Sequence, residues 1–495
     1  NIDQIVDIAI SNECDAVHPG YGFLSENSDF VDALDKSNIQ FVGPKPETLR
    51  LLGNKVEARN FAEEMGIPVL EGSADAVNPS EALEFFSSLP SGSQMIIKAL
   101  SGGGGRGMRV VDRREDVLSA CERCMSEAQL GFGDERIYVE EFLSSSKHIE
   151  VQVLGDGSGA VTHLWDRDCS VQRRHQKLIE VAPSINISGK VREKILSDAV
   201  KLGERVSYRG LGTVEFLLDM TGERYAFIEV NPRLQVEHTI TEMVTGVDLV
   251  RAQLQIASGY TLDSLKLSQA QLLPPKGYAI QCRINMETFE PDGQAKTTGG
   301  TISKFSMPFG PGVRCDTFAY VGYRTSATFD SLLGKLIVHS ASDDYLDVVR
   351  KAYRSVCEME IEGFATNLPI LKSLLASEEF RSNLVHTQFL EKNLSSILAT
   401  AISHPSYSPN SGSLELQSSE VVSQNMSSDP LAVLDYEGGD DRNPRPTRIQ
   451  STQPLEDGLV AITAPMQGTI VSVDLVMGQE IYEGMLVLVM EAMKM

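Results

Sequence analysis

The chain has 495 residues, of which 42% are hydrophobic and 23% charged, and its formal net charge is −24. This length exceeds one ordinary core and the composition is that of folded proteins, so we expect several globular domains rather than global disorder. The negative charge disfavours nucleic acid as a partner, because phosphate backbones need a basic face, and we expect no membrane span because no apolar run is long enough.

The first 53 residues alternate helical and strand patterns. A short strand pattern at 15–17 leads into the Gly- and Pro-containing loop His18–Asn27, which is typical of a parallel sheet whose loops carry ligands. A plain strand-to-helix connection has the same pattern and is the simpler interpretation of this loop alone. The chain starts with Asn1 inside a helical pattern, so we expect it to begin within a domain, and no signal or transit peptide is visible.

Seven scattered cysteines favour a reducing compartment, and we predict a cytoplasmic protein unless a targeting segment precedes Asn1. Cys121 and Cys124 form a Cys-x-x-Cys pair on a helical pattern without a second pair. That context favours two buried thiols over a zinc or redox site.

Lys98 lies inside an apolar strand pattern at 95–100. A buried ammonium is costly unless it meets an anion. Residues 102–107 match G-x-G-x-x-G, but a strand pattern rather than a helix follows, so the motif has neither a Rossmann nor a P-loop context. We interpret it as a glycine-rich hairpin whose backbone N–H groups cover phosphates, against the alternative of a loop without function.

Strand patterns at 137–142 and 148–154 precede the segment 166–177, where three of the last five residues are Lys or Arg. A solvated charge run is the usual explanation of such a segment, and an anion site is the sharper one.

The most informative segment is 227–238, which alternates apolar residues with Glu, Asn, Arg and Gln. Successive side chains of a strand point to opposite faces, so one face is predicted to be polar. An apolar strand at 212–218, interrupted by Glu215, precedes it across a turn, which predicts a hairpin. Glu215, Glu229 and Asn231 then form an oxygen cluster of the kind that binds Mg²⁺ with nucleotide phosphates, against the alternative of a solvated strand face.

A second α+β unit is predicted at 275–340, with strands at 277–284 and 334–339, and helices are predicted at 341–395. The Ser-, Asn- and Pro-rich segment 396–457 is predicted to be a flexible linker.

Two strand patterns, at 469–475 and 485–490, precede the ending Glu491-Ala-Met-Lys494-Met.

Together these motifs resemble biotin carboxylase. Lys98 with its glycine loop, Glu215 and the segment 229–238 resemble the ATP-grasp core of that enzyme, and 18–27 and 172–177 resemble its own signatures. The ending 491–495 resembles the biotin attachment motif of the carrier domain.

The resemblance implies a multidomain α/β and α+β protein with an ATP-grasp fold. The implied parts are a partial N-terminal Rossmann-like (pre-ATP-grasp) domain at 1–53, the ATP-grasp domain at 54–265, the biotin carboxylase C-terminal domain at 275–395, the linker at 396–457 and a truncated all-β biotinyl domain at 458–495. It also implies that the chain is an internal fragment of a longer polypeptide.

The family's roles carry over to residues of four kinds. The implied catalytic residues are the general base Glu237, Lys177 and Arg233 at bicarbonate, and Arg314 at the biotin enolate. The implied nucleotide-binding residues are Lys55, Lys98, Gly103, Gly104, Gly105, Gly107, Glu140, Leu143, His148, Gln172 and His175. Gln235 and Val236 would also seat bicarbonate, and Lys494 would carry biotin. Glu215, Glu229 and Asn231 would hold Mg²⁺ or Mn²⁺.

The implied activity is ATP- and bicarbonate-dependent carboxylation of biotin through carboxyphosphate, within an acetyl-CoA-type acyl-CoA carboxylase of fatty acid metabolism. The implied partners are a carboxyltransferase domain or subunit, biotin protein ligase and further copies of the chain. Alternatives are a propionyl-CoA, methylcrotonyl-CoA, pyruvate or urea carboxylase, another ATP-grasp ligase, and a non-catalytic carrier or scaffold. A lipoyl carrier is an alternative for the ending, but methionine on both sides of Lys494 favours biotin.

Overall fold

A computed structural model describes residues 1–401 apart from 74, 91, 101–106, 144, 175, 290–294 and 326–329, together with 469–473 and 488–491. Within these residues, no helix combines the length and apolarity that a bilayer crossing requires.

The N-terminal part alternates helices with two short parallel strands, as predicted. Its elements are α1 (Ile2–Ser11), β1 (Ala16–Val17), a 3₁₀ turn (Phe23–Glu26), α2 (Ser28–Lys36), β2 (Gln40–Phe41) and α3 (Pro46–Gly53). Asn27 caps α2 by accepting a hydrogen bond from the backbone N–H of Phe30 (2.8 Å). Phe30 itself packs edge-on against Phe41 in a small apolar core.

A three-stranded antiparallel sheet follows, in the order β4-β3-β5. The elements of this part are α4 (Lys55–Glu64), α5 (Pro79–Ser88), β3 (Gln94–Ala99), β4 (Met108–Val111), α6 (Val117–Phe132) and β5 (Ile137–Phe142). Lys98 pairs with Met108 across the predicted hairpin, whose tip at 101–106 lies outside the described residues. Cys121 and Cys124 are buried on α6, and burial raises their thiol pKa values to about 11 and about 12, so the interpretation as buried thiols is confirmed.

The largest sheet has eight antiparallel strands in the order β10-β9-β6-β7-β8-β11-β16-β15. The segment that contributes its first strands also contains helices. Its elements are β6 (Ser146–Asp156), β7 (Val161–Arg173), β8 (Gln176–Ala182), α7 (Gly189–Arg205), β9 (Arg209–Asp219), β10 (Tyr225–Asn231), α8 (His238–Thr245), α9 (Leu249–Ala257) and β11 (Tyr278–Asn285). The predicted hairpin is confirmed as β9–β10, and Glu215 stands directly opposite Glu229.

The C-terminal part continues the same sheet, because β11 pairs with both β8 and β16. Its elements are β12 (Glu287–Phe289), β13 (Ala295–Thr297), β14 (Lys304–Ser306), β15 (Val313–Thr317), β16 (Leu332–Ser340), α10 (Tyr345–Glu358), β17 (Glu360–Glu362), α11 (Leu368–Ala376), α12 (Glu378–Arg381) and α13 (Phe389–Ala401). Val348, Ala352 and Val356 recur at helical spacing on α10 and pack against the apolar face of β11 and β16.

The sheet organisation and the start of the linker differ from the sequence-based expectation. The predicted second α+β unit does not have a separate main sheet, since its principal strands extend the preceding one. Helix α13 runs to Ala401, so the start of the linker at residue 396 was wrong. Its apolar residues Phe389, Leu390 and Ile397 are buried, which stabilises the helix beyond that boundary. Farther on, β18 (Thr469–Val473) and β19 (Leu488–Glu491) form an antiparallel pair within the predicted strand patterns, apart from one residue at the end of β19.

Candidate active site

One face of the large sheet is polar although it is buried. Along β6, Ile149, Val151 and Val153 belong to an apolar cluster that also includes residues of α7. The intervening side chains of His148 and Glu150 therefore point to the opposite face. These polar side chains are buried too, so their charges need partners on that face.

Lys177 on β8 supplies the central positive charge of this face. Its Nζ lies 2.6 Å from Glu237 Oε1 and 3.6 Å from Glu215 Oε1, and it also donates to Glu150 Oε1. Burial alone would lower the pKa of Lys177, but the three carboxylates raise it well above its usual value. The ammonium is therefore charged and shared by carboxylates from three elements.

Glu237, the predicted general base, is 2% exposed and held from both sides. Lys177 contacts its Oε1, and Arg283 Nη2 on β11 donates to its Oε2 (3.0 Å). Burial alone would raise the pKa of Glu237, but Lys177 and Arg283 lower it well below its usual value. Arg283 is fixed in turn by Glu180 on β8. The carboxylate is thus ionised, oriented and able to accept a proton only once a cation is drawn away from it.

Glu215 has the partners that an isolated carboxylate in an apolar strand requires. His148 Nε2 lies 2.8 Å from its Oε2, and the side-chain amides of Asn231 and Gln235 donate to its Oε1 at 2.7 and 3.0 Å. Burial alone would raise the pKa of Glu215, but Lys177 and His148 lower it. His148, which the resemblance assigns to the nucleotide pocket, therefore also contacts a predicted metal ligand, and Gln172 lies 3.5 Å from its other ring nitrogen.

Two lysines predicted to meet phosphates are paired with carboxylates. Lys55, at the start of α4, lies 3.1 Å from Glu229 Oε2, and Lys98 on β3 lies 2.5 Å from Glu140 Oε2. The charge of Glu229 raises the pKa of Lys55 despite its burial. Lys55 therefore contacts a predicted metal ligand, and Lys98 contacts Glu140, which the resemblance assigns to the nucleotide pocket.

The predicted metal ligands provide oxygen donors from paired strands. Residues directly opposite each other in an antiparallel pair have Cβ atoms about 4.5–5.5 Å apart, and Glu215 and Glu229 occupy such positions. Mg²⁺ is held in proteins by one or two carboxylates with phosphates and water completing its shell. The two glutamates therefore fit that ion. Potential ligand atoms of Glu215, His148 and Glu150 also lie within 4.8 Å of one another, and Glu229 does not belong to that group.

Asn231 does not present its oxygen to the carboxylates in this arrangement. Its amide nitrogen donates to Glu215, and its Oδ1 accepts from Arg233 Nη2 (3.0 Å). Arg233 is also held by Glu26 Oε1 at 2.5 Å, which explains one residue of the His18–Asn27 motif. The motif and the site are thus joined by an ion pair between the N-terminal part and the loop after β10.

Arg314 lies on β15 and contacts α8 through Glu242. Its guanidinium donates to Glu242 (2.7 Å) and forms a bidentate ion pair with Asp316 (2.8 and 2.9 Å). A cavity of about 390 Å³ lies against its guanidinium and is lined also by His238, Glu242 and Met243. A cavity with apolar and charged side chains in its lining can take a small ring that carries a polar oxygen.

The remaining predicted residues divide between described and undescribed positions. The carbonyl of Val236 accepts from Lys335 Nζ (3.0 Å), and that of Leu143 from Ser146 Oγ (3.4 Å). Gly107 has φ +65°, and a side chain there would meet Ala99 Cβ at 2.8 Å, so glycine is required. The predictions for Gly103, Gly104, Gly105, His175 and Lys494 lie outside the described residues.

Several site residues were not predicted from the sequence. They are Glu26, Glu150, Arg167, Glu180, Glu242, Arg283 and Lys335. Glu150, Glu180 and Arg283 each stand among apolar neighbours in a strand, which is the signal that identified Glu215 and Lys98. Applying that criterion to every strand would have found these three. Arg167 lies in a strongly polar segment, where nothing in the local pattern distinguishes it.

Three family models match the chain. They are the biotin carboxylase N-terminal domain at residues 1–49, the carbamoyl-phosphate synthase L chain ATP binding domain at 54–265 and the biotin carboxylase C-terminal domain at 281–392.

Similar curated proteins include pyruvate carboxylase 1 of Caenorhabditis elegans, 46% identical over 398 residues, and pyruvate carboxylase of Bacillus subtilis, 45% identical over 394 residues. Each match covers 79% of this chain but only 33% or 34% of the relative, so the chain spans about a third of the length of these proteins.

Two solved structures are also similar. A biotin carboxylase–β-γ-ATP complex from Campylobacter jejuni is 38% identical with a TM-score of 0.75, and the match covers 79% of this chain and 85% of that one. The biotin carboxylase domain dimer of Hydrogenobacter thermophilus 2-oxoglutarate carboxylase, solved with MgADP, ADP and bicarbonate, is 36% identical with a TM-score of 0.75. That match covers 80% of this chain and 85% of that one.

Replacing Lys177 with Met should expose the dependence of the buried carboxylates on one ammonium. Breaking a buried ion pair costs roughly 3–5 kcal/mol of the free energy of unfolding. In the native protein, the lowered pKa values of Glu215 and Glu237 stabilise the fold above their usual pKa of 4.5, and this contribution is lost as the pH falls through their lowered values. The destabilisation in Lys177→Met should therefore be complete at neutral pH and shrink only as the pH falls below 4.5.

Urea denaturation across that pH range measures the difference between the two proteins. Lys304→Met is the matched control, because Lys304 is 37% exposed and pairs with Glu360 on the surface. It should leave the free energy of unfolding nearly unchanged. An equal effect of the two substitutions, or an effect of Lys177→Met that does not vary with pH, would contradict the assignment.

Proposed function

This chain belongs to the biotin carboxylase family, and we propose that it carboxylates biotin at the expense of ATP and bicarbonate. The observation that carries the proposal is the placement of Glu237, an ionised carboxylate gripped by Lys177 and Arg283 on the polar face of the sheet. The predicted metal carboxylates Glu215 and Glu229 lie on the adjoining hairpin.

Lys177 and Glu237 supply the acid–base function at bicarbonate. Bicarbonate is an anion, so it competes with Glu237 for the Lys177 ammonium. Once Lys177 turns to bicarbonate, Oε1 of Glu237 loses the cation that held it and becomes a better proton acceptor. Proton removal by Glu237 converts a poor nucleophile into one that attacks the terminal phosphorus of ATP, giving carboxyphosphate and ADP.

The lysines and the paired carboxylates serve the phosphoryl group. Lys55 and Lys98 are the cations positioned to meet phosphate oxygens, and the turn between β3 and β4 covers them in the proposal. Glu215 and Glu229 would hold Mg²⁺ or Mn²⁺, with Asn231 contributing if its amide turns over. When bound, the metal ion neutralises charge on the transferred phosphoryl group, and biotin supplies the ureido nitrogen that accepts the carboxyl group.

Arg314 is the residue we assign to the biotin ring. Its side chain is 37% exposed beside the cavity of about 390 Å³, and its guanidinium is anchored by Glu242 and Asp316. Asp316 also lies 3.5 Å from Lys335, whose Nζ contacts the carbonyl of Val236 next to Glu237. These links support the proposal that the ring binds near Glu237 with its oxygen at the Arg314 guanidinium.

The nucleotide-pocket roles of Glu140, Leu143, His148, Gln172, His175, Gly103, Gly104, Gly105 and Gly107, and the bicarbonate roles of Arg233, Gln235 and Val236, remain part of the proposal. So do the domain division at 1–53, 54–265, 275–395 and 458–495 and biotin attachment at Lys494. The linker between the last two is proposed to begin after Ala401.

The partners in the proposal are a carboxyltransferase, biotin protein ligase and a second copy of the chain. A cytoplasmic location stays a prediction, and the relatives of rat, mouse and human whose names include "mitochondrial" support the mitochondrion as the alternative.

For the final acceptor we propose a 2-oxo acid, pyruvate in the first instance. Pyruvate carboxylases are among the similar curated proteins, which supports this alternative better than the acetyl-CoA acceptor expected from the sequence. The acetyl-CoA expectation depends on the short polar segment 396–457 before the carrier-like ending, nearly all of which lies outside the described residues.

Glu237→Gln and Arg314→Ala should fail at different steps. The first variant lacks the proton acceptor, so bicarbonate-dependent ATP cleavage should fall by about 10²–10⁴-fold. The second retains Glu237, Lys177 and the phosphate-binding residues, so ATP cleavage should largely remain while carboxyl transfer to free biotin is lost. ADP release and fixation of labelled bicarbonate into biotin measure the two steps.

Arg113→Ala is the matched control for arginine removal, because Arg113 is 64% exposed on a surface turn. It should leave both steps unchanged. The same loss of both steps in Glu237→Gln and Arg314→Ala would refute the division of roles between them.

The acceptor is tested with the biotinylated protein and its native carboxyltransferase. Labelled bicarbonate should enter an acid-stable product with pyruvate and ATP, and not with acetyl-CoA and ATP. Incorporation with acetyl-CoA alone would restore the acetyl-CoA interpretation and overturn the pyruvate proposal, while leaving biotin carboxylation intact.

A further inference from the structure

Arg167, on β7, is the largest fully buried side chain among the described residues. Its guanidinium makes six hydrogen bonds of 2.7–3.1 Å with five side chains, four of them on three other elements and one in a loop. These partners are Glu150 and Gln152 on β6, Thr213 on β9, Gln235 in the loop before α8, and Thr241 on α8. Nη2 makes three of these contacts with two N–H groups, so one of its N–H groups is shared between two acceptors. A lysine has only three donors on one nitrogen and could not satisfy this set.

Arg167 determines which way the Gln235 amide faces. Arg167 has only donors, so the atom of Gln235 that it contacts at 2.9 Å must be the carbonyl oxygen. The ionised Glu215 has only acceptors, so the atom 3.0 Å from its Oε1 must be the amide nitrogen. Both contacts require the same orientation of the Gln235 amide. Arg167 fixes the side on which the carbonyl oxygen lies, and Glu215 fixes the side of the nitrogen.

The amide nitrogen so directed retains a second N–H. An amide nitrogen has two N–H donors, and among the described residues only Glu215 accepts a hydrogen bond from that of Gln235. The same oxygen of Glu215 lies 3.6 Å from Lys177 Nζ. Gln235 and Lys177 therefore present their donors side by side, on the same side as the base Glu237.

Arg167 also acts on Lys177, through Glu150. Two nitrogens of Arg167 donate to Glu150 Oε2 at 3.1 and 3.0 Å, while the other oxygen of Glu150 accepts from Lys177. Both Arg167 and Glu150 are fully buried, so neither can exchange its partner for water. The guanidinium of Arg167 thus fixes the Gln235 amide by direct contact and the Lys177 ammonium indirectly, through Glu150.

We propose that Arg167 is a positioning residue for bicarbonate: it aims the Gln235 amide and, through Glu150, the Lys177 ammonium at one anion. The inference depends on the proposed function, since it assigns the anion at that site. Arg167 touches neither bicarbonate nor the nucleotide. Loss of its geometry should therefore weaken bicarbonate binding while leaving ATP binding in place.

Arg167→Lys keeps the buried charge and removes the fork. It should raise the KM for bicarbonate in bicarbonate-dependent ATP cleavage by about tenfold or more, the cost of one misdirected hydrogen bond to an ion. The KM for ATP should stay within about twofold of the wild-type value. Arg192→Lys is the matched control, because Arg192 on α7 pairs with Asp166 outside the site, and it should change neither constant.

The outcomes separate the two levels of the argument. Absence of bicarbonate-dependent ATP cleavage in the wild-type protein would overturn the proposed function itself. With that activity present, an unchanged bicarbonate KM in Arg167→Lys, or equal rises in both KM values, would overturn the positioning role and leave Arg167 a structural residue.

A second pair of variants serves if Arg167→Lys does not fold. Glu150→Gln alone is compared with Glu150→Gln/Arg167→Met, in which no buried carboxylate is left facing a missing guanidinium. The double variant should have a still higher bicarbonate KM than the single one, because the Gln235 amide is then free to turn. Equal bicarbonate KM values in the two proteins would overturn the proposal.

Discussion

The structure depends on one buried ammonium, Lys177, shared by the carboxylates of Glu150, Glu215 and Glu237. Three carboxylates cannot stay ionised together in a low-dielectric interior without compensating cations. Arg167 balances Glu150, and Arg283 bridges Glu180 and Glu237. These four carboxylates face three permanent cations, and the charge and hydrogen bond of Glu215 raise the pKa of His148 despite its burial, which makes a fourth available. The polar face is therefore close to electroneutral.

This balance explains why the site can respond to an anion. Each carboxylate contacts more than one polar group. When bicarbonate attracts Lys177, Glu215 therefore keeps its hydrogen bonds to His148 and the two amides, and Glu150 keeps those from Arg167. Glu237 keeps Arg283 when Lys177 moves, and so remains oriented. The apolar face of the same strands packs against α7, which keeps the frame rigid while charge is redistributed.

The sequence predicted the elements that depend on local pattern. The hairpin β9–β10, the strand that carries Lys98 and the buried cysteines of α6 are in the structure as expected, because alternation and apolar spacing are short-range signals. The continuity of the sheet through β8 and β11 could not be predicted, since it joins strands about a hundred residues apart. Arg167 and Arg283 acquire meaning only from partners on other strands, which local pattern does not specify. The predicted end of the helical part, at residue 395, was wrong because burial of apolar side chains in the fold stabilises α13 to Ala401, and composition alone does not show this.

The central claim is that the cluster around Lys177 activates bicarbonate to attack ATP. The most direct test is to supply bicarbonate labelled with ¹⁸O together with ATP, Mg²⁺ and free biotin, and to determine the mass of the inorganic phosphate. Attack by a bicarbonate oxygen on the terminal phosphorus, followed by loss of CO₂, leaves one labelled oxygen on phosphate. We expect phosphate that carries a single ¹⁸O for each ATP cleaved. Phosphate without label, formed by attack of water, would contradict it.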